Sequence, residues 1–550
     1  MRGGARNPGD ARGRAARPRV IHVAIALCLM APGITPSSAA ANANRCGTSV
    51  PDEPPTAVNG FGSQWFNEHG VAAQAPPSDT FGYAGIAFNH QSAQVNAFNN
   101  NSTQIYLSGT VQCATVGGIG NAPNAGEYPI KAPPAIIRLP WLRRDGNLLE
   151  ASDRRTTILR GFDYHYNTEW PDAEYNLTDA DMARIASWGF NLLRIRIDGF
   201  LSGWGRGSRA EPGYWENLDH VIADANRHGI YAMLSTVTDS EEAAQADSKA
   251  MEEAKFAKGT AANAWWVRFE VTMFSRYRKW PGVVGYDTMN EDDSFPPPII
   301  DRQFMGPAHE QLDAALRNQV RDSRHIYFQE PSGWSYWGAQ FTRIPGPTGL
   351  MNGVDIGDPN RVFCPKWLAN GDSSSDLATD GLMAAQSNAP LFICELWITK
   401  TGSDGTTIDQ QRAALNAMDS RLVGGARYMY TPDASNGALT HDGHAAPWLP
   451  QYARPYPEWA GGTIKSIGYD FGARKLVVGL GLSGSGPTEV YVGYPGTYPN
   501  GFVASSSSGA RLVYDGHRVV RASRMSWDTK RRRVVLPPQR QSVTFTLQPR

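Results

Sequence analysis

The sequence lacks the features that mark several large classes of protein. Its 52 basic and 52 acidic residues balance to a formal net charge of zero, so no basic excess indicates nucleic-acid binding. It contains no Cys-x-x-Cys pair and no His/Cys cluster with the spacing of a zinc site, and we predict no metal. No Gly-x-Ser-x-Gly elbow ends a candidate strand, which disfavours a Ser-His-Asp hydrolase. Beyond the N-terminus, no stretch is apolar enough to span a bilayer.

Cysteine is scarce, with five residues in 550. Cys28 lies in the N-terminal leader, which leaves an even number of cysteines in the rest of the chain. We expect Cys46 to pair with Cys113, because both lie in a loop-rich N-terminal part. Cys364 and Cys394 stand at the ends of two candidate strands, where they either form a disulfide or remain small buried apolar residues.

The N-terminus has the pattern of an export signal. Several arginines precede a short apolar run, Ile21 to Met30, and small residues around Ala40 and Ala43 offer cleavage sites. The apolar run is short for a transmembrane helix, although an uncleaved anchor is the alternative. We therefore predict a signal peptide over residues 1–43 and an extracellular protein, with association to the cell surface as a further option.

The length exceeds that of one ordinary domain, and the composition changes twice along the chain. Residues 44–150 are rich in Pro, Gly and Asn with a few strand-like pieces, which predicts a loop- and β-rich extension. Residues 151–457 alternate apolar strands with amphipathic helices. Residues 458–550 contain short strands separated by Gly, Ser, Pro and Asp-Gly turns, which is typical of an antiparallel β-sandwich.

The alternating region has the size and rhythm of a (β/α)8 TIM barrel. We predict eight strands beginning near 157, 191, 230, 283, 325, 361, 390 and 426. A doubly wound open sheet is the alternative, and the absence of a glycine-rich phosphate turn disfavours it.

Two of these strands end on a glutamate. The fourth runs from Val283 to Asn290-Glu291, and the seventh from Pro390 to Glu395. The carboxyl ends of parallel barrel strands form the mouth of the active site, so both carboxylates are expected on one rim. A facing pair of carboxylates is the equipment of a glycosidase.

These motifs resemble glycoside hydrolase family 5, and within it the endoglycoceramidase branch. The family pattern is matched by Gly189-Phe190-Asn191-Leu192-Leu193-Arg194, by Asn290-Glu291 and by Glu395. The resemblance to the branch rests on Arg454-Pro455-Tyr456-Pro457 and on two stretches of the C-terminal region, Thr488–Val492 and Tyr498–Gly501. It extends from about Arg155 to the C-terminus.

The resemblance implies a retaining mechanism that needs no cofactor. Glu291 would be the general acid/base, and Glu395 the nucleophile that forms a glycosyl-enzyme. Arg194 would lie beneath Glu395 and keep it ionised, and Asn290 would hold the 2-hydroxyl of the sugar. The substrate-binding residues that we predict are Arg194, Asn290, Asp163, Asp239, Trp367 and Tyr430.

Several positions depart from the family pattern. Asp292 replaces the proline that usually follows Asn-Glu, and Lys366-Trp367-Leu368 replaces a His-x-Tyr motif. The third strand keeps only the acidic residue, Asp239, and the tryptophan of the eighth strand is replaced by tyrosine, with Tyr430 as the best match. These departures leave both glutamates in place but alter positions that contact the sugar.

The sequence thus predicts an exported, monomeric retaining β-glycosidase of the endoglycoceramidase type, with a glycolipid substrate and transient contact with lipid surfaces. An endoglucanase-like hydrolase of polysaccharides is the alternative within enzymes. A carbohydrate-binding protein with an altered catalytic site is the alternative from another class.

Overall fold

The structure is a computed structural model. It describes residues 85–88, 94–97, 105–108, 114–118, 132–146, 148–166, 177–197, 213–237, 255–290, 305–331, 355–368, 373–397, 408–432, 437–440, 443–483 and 486–550.

The N-terminal extension contains short antiparallel strands, as its sequence predicts. These are β1 (Gly85–Phe88), β2 (Gln94–Ala97), β3 (Ile105–Ser108) and β4 (Ala114–Gly118). Strand β1 pairs with β4, and β2 pairs with β3. The predicted partners Cys46 and Cys113 lie outside the described residues.

Three further strands precede the barrel, namely β5 (Leu142–Asp145), β6 (Leu148–Ala151) and β7 (Thr156–Thr157). They do not belong to the N-terminal hairpins, because β7 pairs antiparallel with a strand of the C-terminal sandwich. The first predicted barrel strand is consequently divided. Its start at Thr157 joins the sandwich, and its continuation from Arg160 joins the barrel.

A curled parallel sheet forms the barrel, and this confirms the predicted fold class. Its strands are β8 (Arg160–Tyr166), β9 (Leu192–Ile197), β10 (Tyr231–Val237), β11 (Val283–Asn290), β12 (Ile326–Gln329), β13 (Arg361–Phe363), β14 (Lys366–Leu368), β15 (Phe392–Trp397) and β16 (Gly424–Arg427). Strands β13 and β14 are two parts of the sixth strand, which breaks at Cys364-Pro365. Proline cannot donate a ladder hydrogen bond, so the chain changes partner there: β13 pairs with β12, and β14 with β15.

Amphipathic helices connect the barrel strands. The described helices are α1 (Asp179–Ser187), α2 (Tyr214–Arg227), α3 (Ala261–Tyr277), α4 (Gly306–Ala314), α5 (Ser373–Gln386), α6 (Ile408–Ser420) and α7 (Leu449–Tyr452), and a π-helical turn, Ala315–Gln319, extends α4. Thr178 caps α1 in a reciprocal capping box with Asp181. Among the described residues, no helix is both long and apolar enough to cross a membrane.

The C-terminal region is an antiparallel two-sheet domain, as predicted. Its own strands are β17 (Tyr456–Ala460), β18 (Gly462–Asp470), β19 (Lys475–Ser483), β20 (Thr488–Tyr491), β21 (Phe502–Ser506), β22 (Arg511–Tyr514), β23 (Val519–Ser523), β24 (Ser526–Asp528), β25 (Arg533–Leu536) and β26 (Val543–Pro549). One sheet has the order β24-β25-β20-β17-β7-β6-β5, and the other has the order β18-β19-β26-β21-β22-β23. Their facing apolar side chains form one buried cluster.

Buried polar contacts join the sandwich to the barrel. Arg454 donates two hydrogen bonds to Asp419 at the end of α6, over 2.6 and 2.8 Å. The hydroxyl of Tyr456 donates to the carbonyl of Gly189 over 2.7 Å. Gly189 has φ = +80°, and a Cβ there would lie 2.4 Å from the Tyr491 ring. The glycine of the Gly-x-Asn-x-x-Arg motif therefore serves the contact with the sandwich.

Candidate active site

The carboxyl ends of the barrel strands carry a buried cluster of charged side chains. Its members, which we call the ionic cluster, are Asp163 on β8, Arg194 and Arg196 on β9, Asp287 on β11, Glu330 after β12, Lys366 on β14 and Glu395 on β15. Four carboxylates thus face three cations in a space where each side chain is almost fully buried. Buried charges persist only when they are paired, so each strand end is constrained by its neighbours.

Arg194 lies at the centre of the ionic cluster. Its guanidinium contacts Asp287 at 2.7 Å, Asp163 at 3.1 Å, and both Glu330 and Glu395 at 3.4 Å. Burial by itself would lower the pKa of Arg194, but the surrounding carboxylates raise it well above its ordinary value. Arg194 thus connects carboxylates that come from β8, β11, β15 and the segment after β12.

The predicted nucleophile, Glu395, is surrounded by cations. Lys366 Nζ lies 2.5 Å from Glu395 Oε2, and Arg194 and Arg196 approach the same oxygen at 3.4 and 3.9 Å. Burial would raise the pKa of Glu395, but the charges of Lys366, Arg196 and Arg194 outweigh burial and lower the pKa to about 2. The carboxylate is therefore ionised at any ordinary working pH, as a nucleophile requires.

Asp163 is a carboxyl of the cluster whose neutral form is favoured. Burial raises its pKa to about 6, with Arg194 opposing this and the Glu395 charge adding to it. Beside it, His165 Nε2 faces Arg196 Nη1 at 2.9 Å, and since the guanidinium is only a donor, the imidazole accepts. Burial and then Arg196 lower the pKa of His165 well below its ordinary value, so this histidine is neutral.

Asn290 ends β11 with a fixed amide orientation. Its Oδ1 accepts from Arg194 Nη2 at 2.7 Å and from Lys366 Nζ at 2.9 Å. Its Nδ2 is buried and has no hydrogen-bond partner among the described residues. A buried donor without a partner lowers the stability of the folded protein, and such a donor is available to bind a hydroxyl group of a ligand.

Glu330 was not predicted from the sequence, although it belongs to the same cluster. It follows β12, and its Oε1 lies 3.9 Å from Lys366 Nζ. His309 on α4 contacts the carbonyl of Glu330 through Nε2 and the hydroxyl of Tyr327 through Nδ1, so the helix fixes this strand end. The signal was present, because an apolar strand, Ile326–Phe328, is followed closely by a carboxylate, as in the fourth and seventh strands.

Two predicted substrate-binding residues do not reach the cluster. Trp367 is fully buried in the apolar layer outside the sheet, because Lys366 takes the inward position and neighbouring residues of a strand face opposite sides. Tyr430 is buried in the same layer, and its hydroxyl donates to Asp181 of α1 over 2.9 Å. Tyr428 instead lies beside the cluster, half-buried, with its ring 5.3 Å from that of His165.

The remaining predicted residues are only partly described. Asp163, Arg194, Asn290 and Glu395 are brought together as expected. Glu291, the predicted acid/base, and Asp239 lie outside the described residues. Glu291 directly follows Asn290 in the sequence.

A disulfide joins Cys364 and Cys394 inside the barrel, beneath the ionic cluster. The sequence left this pair open between a bridge and two buried thiols. Asp287, Glu330 and Cys394 have ligand-type atoms within 4.8 Å of one another. Because Cys394 is bonded to Cys364 and the Arg194 guanidinium contacts both carboxylates, this grouping is an ion-pair arrangement rather than a set of metal ligands.

Comparison with known proteins agrees with this architecture. Residues 151–338 match the model of the family described as cellulase, glycosyl hydrolase family 5. No curated protein sequence matches the chain.

Similar solved structures include an endogalactoceramidase, at 18% identity and a TM-score of 0.58, covering 74% of this chain and 100% of that one. The lactosyl-enzyme intermediate of endo-glycoceramidase II from Rhodococcus sp. gives 18% identity, a TM-score of 0.59 and the same coverage. Sterylglucosidase 1 of Cryptococcus neoformans gives 9% identity and a TM-score of 0.54, covering 74% of this chain and 97% of that one. At these identities the structures are evidence of a shared fold. The chain therefore carries a (β/α)8 barrel that resembles that of glycosyl hydrolase family 5 and has the fold of the endoglycoceramidases.

Proposed function

We propose that this protein is a retaining β-glycosidase that cleaves the glycosidic bond of a glycolipid. The observation that carries the proposal is Glu395, a buried carboxylate at the mouth of the barrel that three cations keep ionised. A glycosidase nucleophile must be an anion while the partner carboxyl carries a proton, so the two need opposite environments. Glu395 has the environment that suits the anion.

The proposed reaction proceeds by double displacement. Glu395 attacks the anomeric carbon while Glu291 donates a proton to the leaving oxygen, which breaks the glycosidic bond and forms a glycosyl-enzyme. Glu291 then takes a proton from water, whose oxygen attacks the anomeric carbon and releases Glu395. In this proposal Asn290 binds the 2-hydroxyl of the sugar through Nδ2, which is buried and has no partner among the described residues.

The glycolipid part of the proposal rests on the fold and on the solved structures that share it. One of them is titled as a lactosyl-enzyme intermediate, and another as a complex of the same Rhodococcus enzyme with ganglioside GM3. Both titles describe that enzyme. For this chain they favour a β-glycoside with an apolar aglycone, reached by transient contact with a lipid surface.

A polysaccharide substrate is the second candidate, because the matching family model is described as cellulase. The departure from the family pattern at Lys366 leaves a third reading, a carbohydrate-binding protein that does not hydrolyse its ligand. Hydrolysis assays with glycosphingolipids, simple glycosyl lipids and soluble β-glucans separate the three. We expect release of intact glycan from the lipids, with retention of the β-anomer in the first product seen by NMR.

The decisive variant is Glu395→Gln, which keeps the shape of the side chain but cannot attack carbon. We expect kcat to fall at least about 10³-fold with a folded protein. Glu458→Gln is the matched control, since it neutralises a buried carboxyl of the sandwich and should leave kcat unchanged. Near wild-type turnover by Glu395→Gln would refute the assignment, and binding of glycans without hydrolysis by the wild type would favour the binding protein.

We also propose that the chain is exported as a monomer after removal of residues 1–43. Expression of the full chain in a secreting host should give an extracellular protein whose N-terminal sequence begins near Asn44. A protein retained with its leader would contradict this, and light scattering of the purified protein measures the oligomeric state.

A further inference from the structure

Lys366 is an unusual side chain to find against a glycosidase nucleophile, and its position is set by the sheet itself. Strands β14 and β15 are parallel neighbours in which Lys366 and Glu395 are register partners. The ammonium is fully buried and contacts Glu395 Oε2 at 2.5 Å and Asn290 Oδ1 at 2.9 Å. We propose that Lys366 is a positioning residue of the reaction, which holds the nucleophile as an anion and turns the Asn290 amide towards the sugar.

The first role follows from how charge is shared in the ionic cluster. The guanidinium of Arg194 contacts four carboxylates, and its Nη1 lies 3.4 Å from Glu395 Oε2. Arg196 is farther away, at 3.9 Å. Lys366 makes the short contact with Glu395 and stands 3.9 Å from its second carboxylate, Glu330. Coulomb energy falls with distance and is screened least in a buried site. Among the cations of the ionic cluster, Lys366 therefore has the strongest effect on the ionisation of Glu395.

The second role follows from the chemistry of the donors. An ammonium and a guanidinium can only donate hydrogen bonds, so the atom of Asn290 that faces Lys366 and Arg194 must be the oxygen. The amide nitrogen is thereby turned to the other side, where it has no partner among the described residues. Without Lys366, one of the two donors that fix this orientation is lost, and the amide is free to rotate.

This inference rests on the proposed function, and it is distinguished from a purely structural role by what it predicts for the pH profile. A lysine that merely neutralises buried acid would affect folding stability alone. A lysine that keeps Glu395 ionised and fixes the orientation of the Asn290 amide also controls the acidic limb of the kcat/KM profile. It also controls the preference for a substrate that carries the 2-hydroxyl.

The experiment compares the full-length wild type with Lys366→Met and Lys366→Arg on an aryl β-glycoside and its 2-deoxy analogue. In Lys366→Met we expect the acidic limb of kcat/KM to move up by about 1–3 pH units. The preference for the parent sugar over the 2-deoxy sugar should fall roughly three- to tenfold. Lys366→Arg keeps the positive charge, so its acidic limb should lie close to that of the wild type rather than to that of Lys366→Met.

Arg361→Met is the matched control, because Arg361 is a buried cation at the amino end of the same split strand, where it contacts Asp355, Asp358 and Ser387. It should lower the melting temperature without moving either kinetic readout. If Lys366→Met does not fold, Lys366→Gln is a smaller change that still removes the charge, and the same shift of the acidic limb is expected.

The outcomes separate the two proposals. An active wild type with an inactive Glu395→Gln and an unchanged pH profile in the Lys366 variants overturns the role of Lys366 alone. Equal shifts in Arg361→Met overturn it as well. Full turnover by Glu395→Gln overturns the proposed function together with this inference.

Discussion

The two ends of the barrel interior are built from the same strands but contain different kinds of side chain. Towards the amino ends, the inward side chains are apolar and include Leu192, Met233, Val284, Phe328 and Phe392. Two or three residues further along the chain from these positions, the inward side chains are charged or polar. The apolar layer at the amino ends tolerates substitution by other apolar groups of similar volume. Each buried charge at the carboxyl ends depends instead on particular ion-pair partners.

Stability and chemistry are therefore located in different parts of the barrel interior. The apolar layer gains free energy from burial and does not depend on pH. The ionic cluster gains little net free energy, because the cost of desolvating its charges is comparable to their attraction. What the cluster provides is a set of fixed protonation states, above all the ionised Glu395. The following substitutions test this division.

The largest effect is expected for Arg194→Met, because it leaves four buried carboxylates with two cations. Removing one partner of a buried ion pair costs about 3–5 kcal/mol, and the loss of an organised charge in the site should lower kcat/KM roughly 10²–10³-fold. Urea unfolding and steady-state kinetics measure both. Arg143→Met removes an exposed guanidinium from Glu150, which Arg154 also contacts, and should change stability by less than about 1 kcal/mol. A similarly small effect at Arg194 would contradict the central role of that residue.

A substitution in the apolar layer should affect stability alone. Phe328→Ala removes a buried ring that packs against Phe392 with centroids 5.7 Å apart. We expect a loss of about 3–5 kcal/mol in the free energy of unfolding, with KM and the pH limits of kcat/KM unchanged at a temperature where the variant is folded. A shifted pH profile would show that the two layers are not independent.

The disulfide lies at the boundary between the layers, since Cys394 adjoins Glu395 and Cys364 is two residues before Lys366. It closes a sequence separation of 30 residues, for which a stabilisation of about 2–4 kcal/mol is typical. The double substitution Cys364→Ala/Cys394→Ala should lower the melting temperature accordingly. Reductant should then cause no further loss through this pair. Unchanged stability would show that the strands need no covalent link.

The smallest effect concerns the pH dependence of stability. The pKa of Asp163 is raised to about 6 in the folded state, so the neutral carboxyl is favoured and the contribution to stability declines as the pH rises from about 4 through 6. Glu395 acts in the opposite sense, because its lowered pKa gives a contribution that is present above its ordinary pKa and lost towards pH 2. Asp163→Asn should therefore remove roughly 1–3 kcal/mol of the decline between pH 4 and 6. Denaturant unfolding at several pH values measures this change in the free energy of unfolding. If Asp163→Asn left the pH dependence of stability between pH 4 and 6 unchanged, the raised pKa of Asp163 would be contradicted.

The fold and the centre of the site could be predicted because the sequence repeats a simple pattern. An apolar strand that ends on Asn290 or Glu395, together with Arg194, places these residues at one rim wherever the barrel closes. Glu330 obeys the same pattern and was missed only because the family motifs did not include it.

Two substrate-binding predictions were wrong because the sequence pattern did not show which residues of a strand face inward. In the sixth strand Cys364 and Lys366 face inward, as residues two apart do, and Trp367 faces the helices. In the eighth strand the inward tyrosine is Tyr428 rather than Tyr430, a difference of two residues that sequence spacing does not resolve. The antiparallel strands between Leu142 and Thr157 join the sandwich through contacts more than 300 residues away in sequence, which no local pattern reveals.

The most direct test of the account is to identify the residue that carries the covalent intermediate. The full-length protein is incubated with 2-deoxy-2-fluoro β-glycosides of the gluco and galacto series that bear a good leaving group, and the labelled peptide is mapped by mass spectrometry. We predict one glycosyl group per chain, attached to Glu395, with labelling that persists to low pH in the wild type and requires a higher pH in Lys366→Met. A label on another carboxylate, such as Glu330, would contradict the account.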